Sequence, residues 1–188
     1  MVFVLEVRVD AWLAVGGRVE VPRPASCPVC GHGRVTFDGW YPRHTRRGRV
    51  WIQRVWCASD ICEQRSHSLL PDVLVSGRVD LASVIGWALQ ARAAGAGHRP
   101  IAAHLQVPAA TVRGWLRRAA VTGGQVAGRL LAVARAAGPA GRDPPGGGGV
   151  VLLVGAAAAA AAAWSALSDE PVDRWRFAVA HTGGRLLG

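Results

Sequence analysis

The sequence predicts an α+β fold, with a small β ribbon first, a compact group of helices next and a helical tail last. Three observations predict it. Two cysteine pairs bracket a pair of strand-like runs between residues 27 and 62, apolar residues recur at helical spacing from about residue 81 to residue 118, and an uncharged, alanine-rich run fills residues 150–167. Alternation with a period of two marks a half-buried strand, and recurrence at i, i+3, i+4 marks one face of a helix. The expected divisions are residues 1–77 for N-terminal strands plus ribbon, 78–120 for the helical group and 121–188 for the tail, with a Gly/Pro-rich linker at 138–149.

At the N-terminus, Val2 to Val9 alternates and carries β-branched side chains, which predicts a first strand. Asp10 is placed to cap a short helix through Leu13, and Arg18 to Val21 reads as a second strand before Pro22 and Pro24. The opening residues carry no basic leader and no long apolar core. A cytoplasmic, nucleoid-associated chain with reduced cysteines is therefore expected.

Cys27-Pro28-Val29-Cys30-Gly31 comes next, and after 26 intervening residues Cys57-Ala58-Ser59-Asp60-Ile61-Cys62. Two cysteines two residues apart before a glycine turn can aim both thiolates at one tetrahedral metal while backbone N–H groups point at the sulfurs. Between the pairs, Arg34–Trp40 and Val50–Cys57 read as strands joined by a basic turn holding Arg43, Arg46, Arg47 and Arg49. That is the layout of a zinc ribbon. The expected ligands of a closed, structural Zn2+ site are Cys27, Cys30, Cys57 and Cys62, a kind of site worth roughly 10–16 kcal/mol to a small domain. Two disulfides or four unrelated buried thiols are the competing readings, and His67, five residues past Cys62, is left off the ligand list. His32 and His44 are left off as well. The four turn arginines are either a solvated loop or phosphate contacts.

Leu69 to Leu74 is expected to tuck against the ribbon or the following helix, and Asp80 to cap a helix of roughly 15 residues with Leu81, Val84, Ile85, Ala88 and Leu89 inward and Trp87 toward the ribbon. His98 to Arg118 then has the spacing of two short helices across a tight turn, a helix-turn-helix. Ile101, Ala102 and Leu105 form the inner face of the first helix, Val107 fills the turn, and Val112, Trp115 and Leu116 form the inner face of the second. Small Ala102 permits close crossing, and Pro108 opens the second helix. Gln106 stands where a glycine usually turns the chain. A plain arginine-rich helical hairpin would share part of this pattern.

Val126–Ala137 reads as a further amphipathic helix, and residues 150–167 as a helix that packs against it or against a second copy, in preference to a membrane span. Pro171–Ala180 reads as a last short helix; no role follows for Thr182–Leu187.

All 22 basic residues are Arg, against 12 acidic ones, and the excess lies over residues 21–120. A polyanion is the expected partner, since guanidinium groups suit phosphate and guanine. In a helix-turn-helix the early exposed positions of the second helix face base edges and later arginines reach phosphates. The candidate DNA-facing residues are Pro108, Ala109, Ala110, Thr111, Arg113, Arg117 and Arg118, with Arg43, Arg46, Arg47 and Arg49 from the ribbon.

The order of parts, Val19-Glu20-Val21-Pro22-Arg23-Pro24, Cys-Pro-x-Cys-Gly, Gly39-Trp40-Tyr41-Pro42-Arg43, Gln53-Arg54-Val55-Trp56-Cys57, His67-Ser68-Leu69-Leu70-Pro71 and Thr111–Arg118, resembles the small transposase-like proteins of high-GC bacteria that join a zinc ribbon to a helix-turn-helix. The resemblance covers about residues 18–120 and implies double-stranded DNA binding without a known catalytic step. A regulator or the targeting module of a mobile element is the leading reading, with a homodimer or transposase partner meeting the C-terminal helices and no small-molecule substrate. An interaction module for protein or RNA, or a subunit of an insertion-element transposase, is the alternative. A complete transposase needs three carboxylates around two metal ions; the tail supplies only Asp143, Asp169, Glu170 and Asp173, so no enzyme is expected.

Overall fold

The computed structural model describes residues 1–138, 146–168 and 171–188, and these form a mixed α+β fold. Residues 139–145 of the expected linker, with Asp143, and the carboxylates Asp169 and Glu170 lie outside the described residues. In chain order the elements are β1 (Val2–Phe3), α1 (Val9–Ala14), β2 (Val35–Thr45), β3 (Gly48–Cys57), β4 (Ser66–Pro71), α2 (Ala82–Ala93), α3 (His98–Leu105), α4 (Ala109–Ala137), α5 (Gly149–Ser168) and α6 (Arg174–His181).

The sheet has the order β1-β4-β3-β2, antiparallel through β2, β3 and β4, with β1 added parallel to β4. The hairpin is longer than its sequence suggests. Thr45 pairs with Gly48, so only Arg46 and Arg47 form the turn, and Arg43 and Arg49 belong to strands. A register shift between Phe37 and Trp40 accommodates Gly39, whose carbonyl accepts a 2.7 Å hydrogen bond from the Gln53 side chain. The expected strand at 18–21 does not form, and the first strand is cut to Val2–Phe3, the two residues that pair with Leu70 and Pro71, with helix α1 beginning at Val9. Residues 16–17 take over an edge instead. β4 pairs only with Gln53–Trp56 of β3, and beyond it the Trp51 N–H donates to the Gly16 carbonyl at 2.8 Å. Leu69 and Leu70, expected merely to tuck in, are strand residues of β4 on opposite faces of the sheet, one in each of two small cores.

Helices α2 to α6 share a third and larger core running from Val75 to Leu187. Helix α2 places Ile85, Ala88 and Leu89 inward, as its period predicts, but Leu81 and not Asp80 stands at its N-cap. Trp87 turns away from the ribbon and stacks on His104 of α3, with centroids 4.1 Å apart. Helix α3 ends because Gln106 adopts the left-handed conformation, φ 53° and ψ 41°. No other residue type but glycine has positive φ among the described residues. Holding a non-glycine residue there costs about 1–3 kcal/mol, more than the ~0.5–1 kcal/mol entropic cost of glycine. Gln106→Gly is therefore expected to raise stability by about 1 kcal/mol, read as a higher denaturant midpoint; an unchanged midpoint would contradict the strain.

Helix α4 corrects the expected division at residue 120. It runs unbroken for 29 residues, so the second helix of the 98–118 hairpin and the expected 126–137 helix are one element, and 78–120 is not separable from 121–188. Gly123 and Gly124 lie within α4. In the structure a Cβ on Gly123 would lie 2.2 Å from the Gly149 carbonyl oxygen, and one on Gly149 would lie 2.5 Å from the Ala120 oxygen. These glycines let α4 and α5 touch backbone to backbone. Helix α5 is long and apolar enough to cross a bilayer; here Val150, Leu153, Ala156, Ala157 and Ala160 are sunk into the shared core formed with α4, α2 and α6. The C-terminal residues acquire a role: Leu186 and Leu187 are buried in that core.

Two arginines join the ribbon to the helical layer. Arg43 donates to the carbonyls of Val75, at 2.7 Å, and of Arg78. Arg46 grips both carboxylate oxygens of buried Asp80, the second at 3.2 Å. On the far side, buried Asp72 accepts from the Leu5 N–H at 3.2 Å and from Arg176 Nε of α6 at 3.0 Å, while Arg176 also donates to the Leu5 carbonyl.

Candidate metal centre and basic helix face

Two backbone turns aim the cysteines. In the first, the Gly31 N–H donates to the Cys27 carbonyl and the Cys27 N–H to the His32 carbonyl, both at 2.9 Å. Gly31 closes this turn at φ 72°, a conformation that glycine takes without penalty. The second turn, from Cys57 to Cys62, is closed by the Cys62 N–H on the Ser59 carbonyl.

These turns bring all four sulfurs within 4.8 Å of one another. Cys27 Sγ lies 3.7 Å from Cys62 Sγ, and Cys30 Sγ 3.6 Å from Cys57 Sγ. A tetrahedron with metal–sulfur bonds of about 2.3 Å has edges of about 3.8 Å. The cluster thus has the size and donor set to hold a metal ion, and all four cysteines are free of disulfides. Cys27, Cys57 and Cys62 are buried, whereas Cys30 is exposed.

The electrostatics are uneven. Burial pushes the Cys27 thiol up, but the N–H groups of Cys30 and Val29 and the thiols of Cys62 and Cys30 together bring it down to about 6. Burial pushes Cys62 up to about 12, with the neighbouring thiols adding to the effect. Four such sulfurs stay deprotonated together only around a cation. His67, left off the ligand list, is buried on β4 with Nε2 3.3 Å from Cys27 Sγ. It sits beside the four sulfurs as a hydrogen-bond partner of Cys27. Only the folding of β4 against β3 brings it there, pairing it with Val55, so cysteine spacing could not reveal it.

The expected DNA-facing residues fall into three groups. On α4, Pro108 is the N-cap and not the first helical residue. Ala109, Ala110, Arg113, Arg117 and Arg118 are exposed, Thr111 is half-buried, and Val112 and Trp115 are sunk in the core, with Val107 and Ala102 beneath them. No carboxylate among the described residues pairs with Arg113, Arg117 or Arg118. At the hairpin, Arg47 meets Asp10 at 3.4 Å with both side chains largely exposed, and Arg49 lies 5.7 Å above the Trp51 ring, leaving both within reach of solvent. Arg43 and Arg46 differ from the expected free basic turn. Arg43 Nη2 and Arg46 Nε and Nη2 are engaged by the carbonyls and carboxylate that tie the sheet to the loop before α2. Asp173, the one tail carboxylate within the described residues, caps α6 by accepting from the N–H groups of Trp175 and Arg176.

Comparison with family models, with curated proteins and with solved structures finds no match.

Proposed function

We propose that the chain is a duplex-DNA-binding protein in which a structural zinc ion pins a β ribbon beside a helix-turn-helix made of α3 and α4. It acts as a regulator or as the targeting module of a mobile element and has no catalytic step of its own. One observation carries this reading: the first three turns of α4 present Arg113, Arg117 and Arg118 outward without acidic partners among the described residues, while Val112, Trp115 and Ala119 lock the opposite face into the core. An exposed helix start bearing unpaired arginines can enter a major groove about 12 Å wide.

The left-handed Gln106 and buried Ala102 support the motif, since they give the tight turn and close crossing it requires. Four thiolates in a tetrahedron favour zinc or iron–sulfur chemistry. Zinc is the simpler fit, since four thiolates by themselves complete its tetrahedron.

In this reading Arg113 contacts a base and Arg117 a phosphate. Selection from random duplexes by the metal-loaded chain is expected to enrich a motif. On that motif Arg113→Ala costs about 1–3 kcal/mol and relaxes specificity at one position, whereas Arg117→Ala weakens all sequences alike and flattens the salt dependence. Equal losses on selected and random duplex for Arg113→Ala would remove the base-reading role.

A further inference from the structure

A groove of about 230 Å³ lies between the loop before α2 and the start of α4, bounded by Gly77, Arg78, Thr111, Gly114 and Arg118 over Trp115. Its charge is unbalanced. Asp80, the acid in its lining, is gripped by Arg46. That leaves two guanidinium groups facing one space.

Arg78 is held there by its own backbone, because its carbonyl accepts from Arg43. Its Nη1 reaches only the neighbouring Gly77 carbonyl, at 3.1 Å, and its buried Nε finds no partner among the described residues. Burial, and then the charge of Arg118, lowers its pKa from the ordinary arginine value. Arg118 is little better served, with one 3.4 Å contact to the Gly114 carbonyl. A half-buried cation with an unpartnered buried Nε, set beside a second cation, is costly, and an anion with several acceptor oxygens relieves both. Thr111 adds a hydroxyl donor at the same wall.

We propose that this groove is a phosphate site, which on the DNA-binding reading takes one phosphodiester of the duplex backbone and so sets the axial position of α4. Arg78 thereby joins the binding surface from outside the helical hairpin. The shared chemistry also admits free phosphate, which gives a test independent of DNA.

The experiment uses the full, metal-loaded chain with Arg78→Gln, Arg118→Gln and, as a charge control at the far end of α4, Arg135→Gln. For duplex binding against salt, the two groove variants each lower the log–log slope by about one and the affinity by about tenfold, equally for all sequences, and Arg135→Gln does neither. In parallel, inorganic phosphate raises the melting temperature of the wild type above chloride at equal ionic strength, and the groove variants lose that rise. Unchanged slopes in both groove variants overturn the site while leaving DNA binding in place. A wild type that binds no duplex yet shows the phosphate-specific rise upholds the site and removes the DNA reading; absence of both removes both. Arg118 is exposed, so its variant keeps the test alive should Arg78→Gln fail to fold.

Discussion

Chelation of the proposed metal, or Cys57→Ser, is expected to unfold the cysteine end of the ribbon, residues 22–37 and 55–66, while the helical core and the second small core holding Val50 and Ile52 survive. The buried core around the sulfurs contains only Val21, Val35, Val55 and Leu69 besides the cysteines themselves, with Met1, Phe3, Val19 and Trp40 packed half-buried at its margin. A core this small cannot order two knuckle loops and a hairpin end against the conformational entropy of that much chain. A structural zinc of the kind proposed contributes about 10–16 kcal/mol in such domains, more than the apolar burial around the sulfurs supplies. Helices α2 to α6 keep their own core and their circular dichroism. Hydrogen exchange at Val35 and Val55, compared before and after chelation, reads the effect. Identical protection and an identical melting temperature would overturn the metal centre.

Arg176→Gln is expected to cost about 3–5 kcal/mol at neutral pH, because it strands a buried carboxylate. Asp72 is only 3% exposed, and burial already raises its pKa while Arg176 partly offsets that rise. Removing Arg176 raises it further. An acid with an elevated folded pKa loses stability as pH climbs through that value and keeps it below the unfolded value. The difference between variant and wild type therefore grows with pH above the ordinary aspartate range and shrinks below it. Asp72→Asn added to Arg176→Gln recovers much of the loss, since no charge is then buried. Denaturant melts at neutral and acidic pH check both points; a deficit that ignores pH, with no recovery in the double variant, would mean the pair is not an ion pair.

Local signals in the chain were legible and long-range ones were not. Cysteine spacing located the four sulfurs, and the i, i+3, i+4 pattern of Val112, Trp115 and Leu116 located the inner face of α4, because both depend on residues near one another in sequence. The continuity of α4 between Arg118 and Val126 was not legible, because Gly123 serves there in a close contact with Gly149, a residue far along the chain. Arg43 and Arg46 misled for a related reason: the groups that claim them lie more than thirty residues away. The segment 18–21 alternates like a strand but joins no ladder; its Val19 and Val21 pack on the two small cores instead.

The contact between Gly123 and Gly149 also answers a question posed by eight consecutive alanines. Ala156 to Ala163 shows a neighbour nearly the same surface at every step, so by itself that stretch could shift along α4 by a turn and hardly register the change. A peptide unit seated where no side chain fits cannot shift. One notch at the start of α5 thus indexes a ruler that otherwise has no markings, and Trp164, Phe177 and His181 fall into place beyond it.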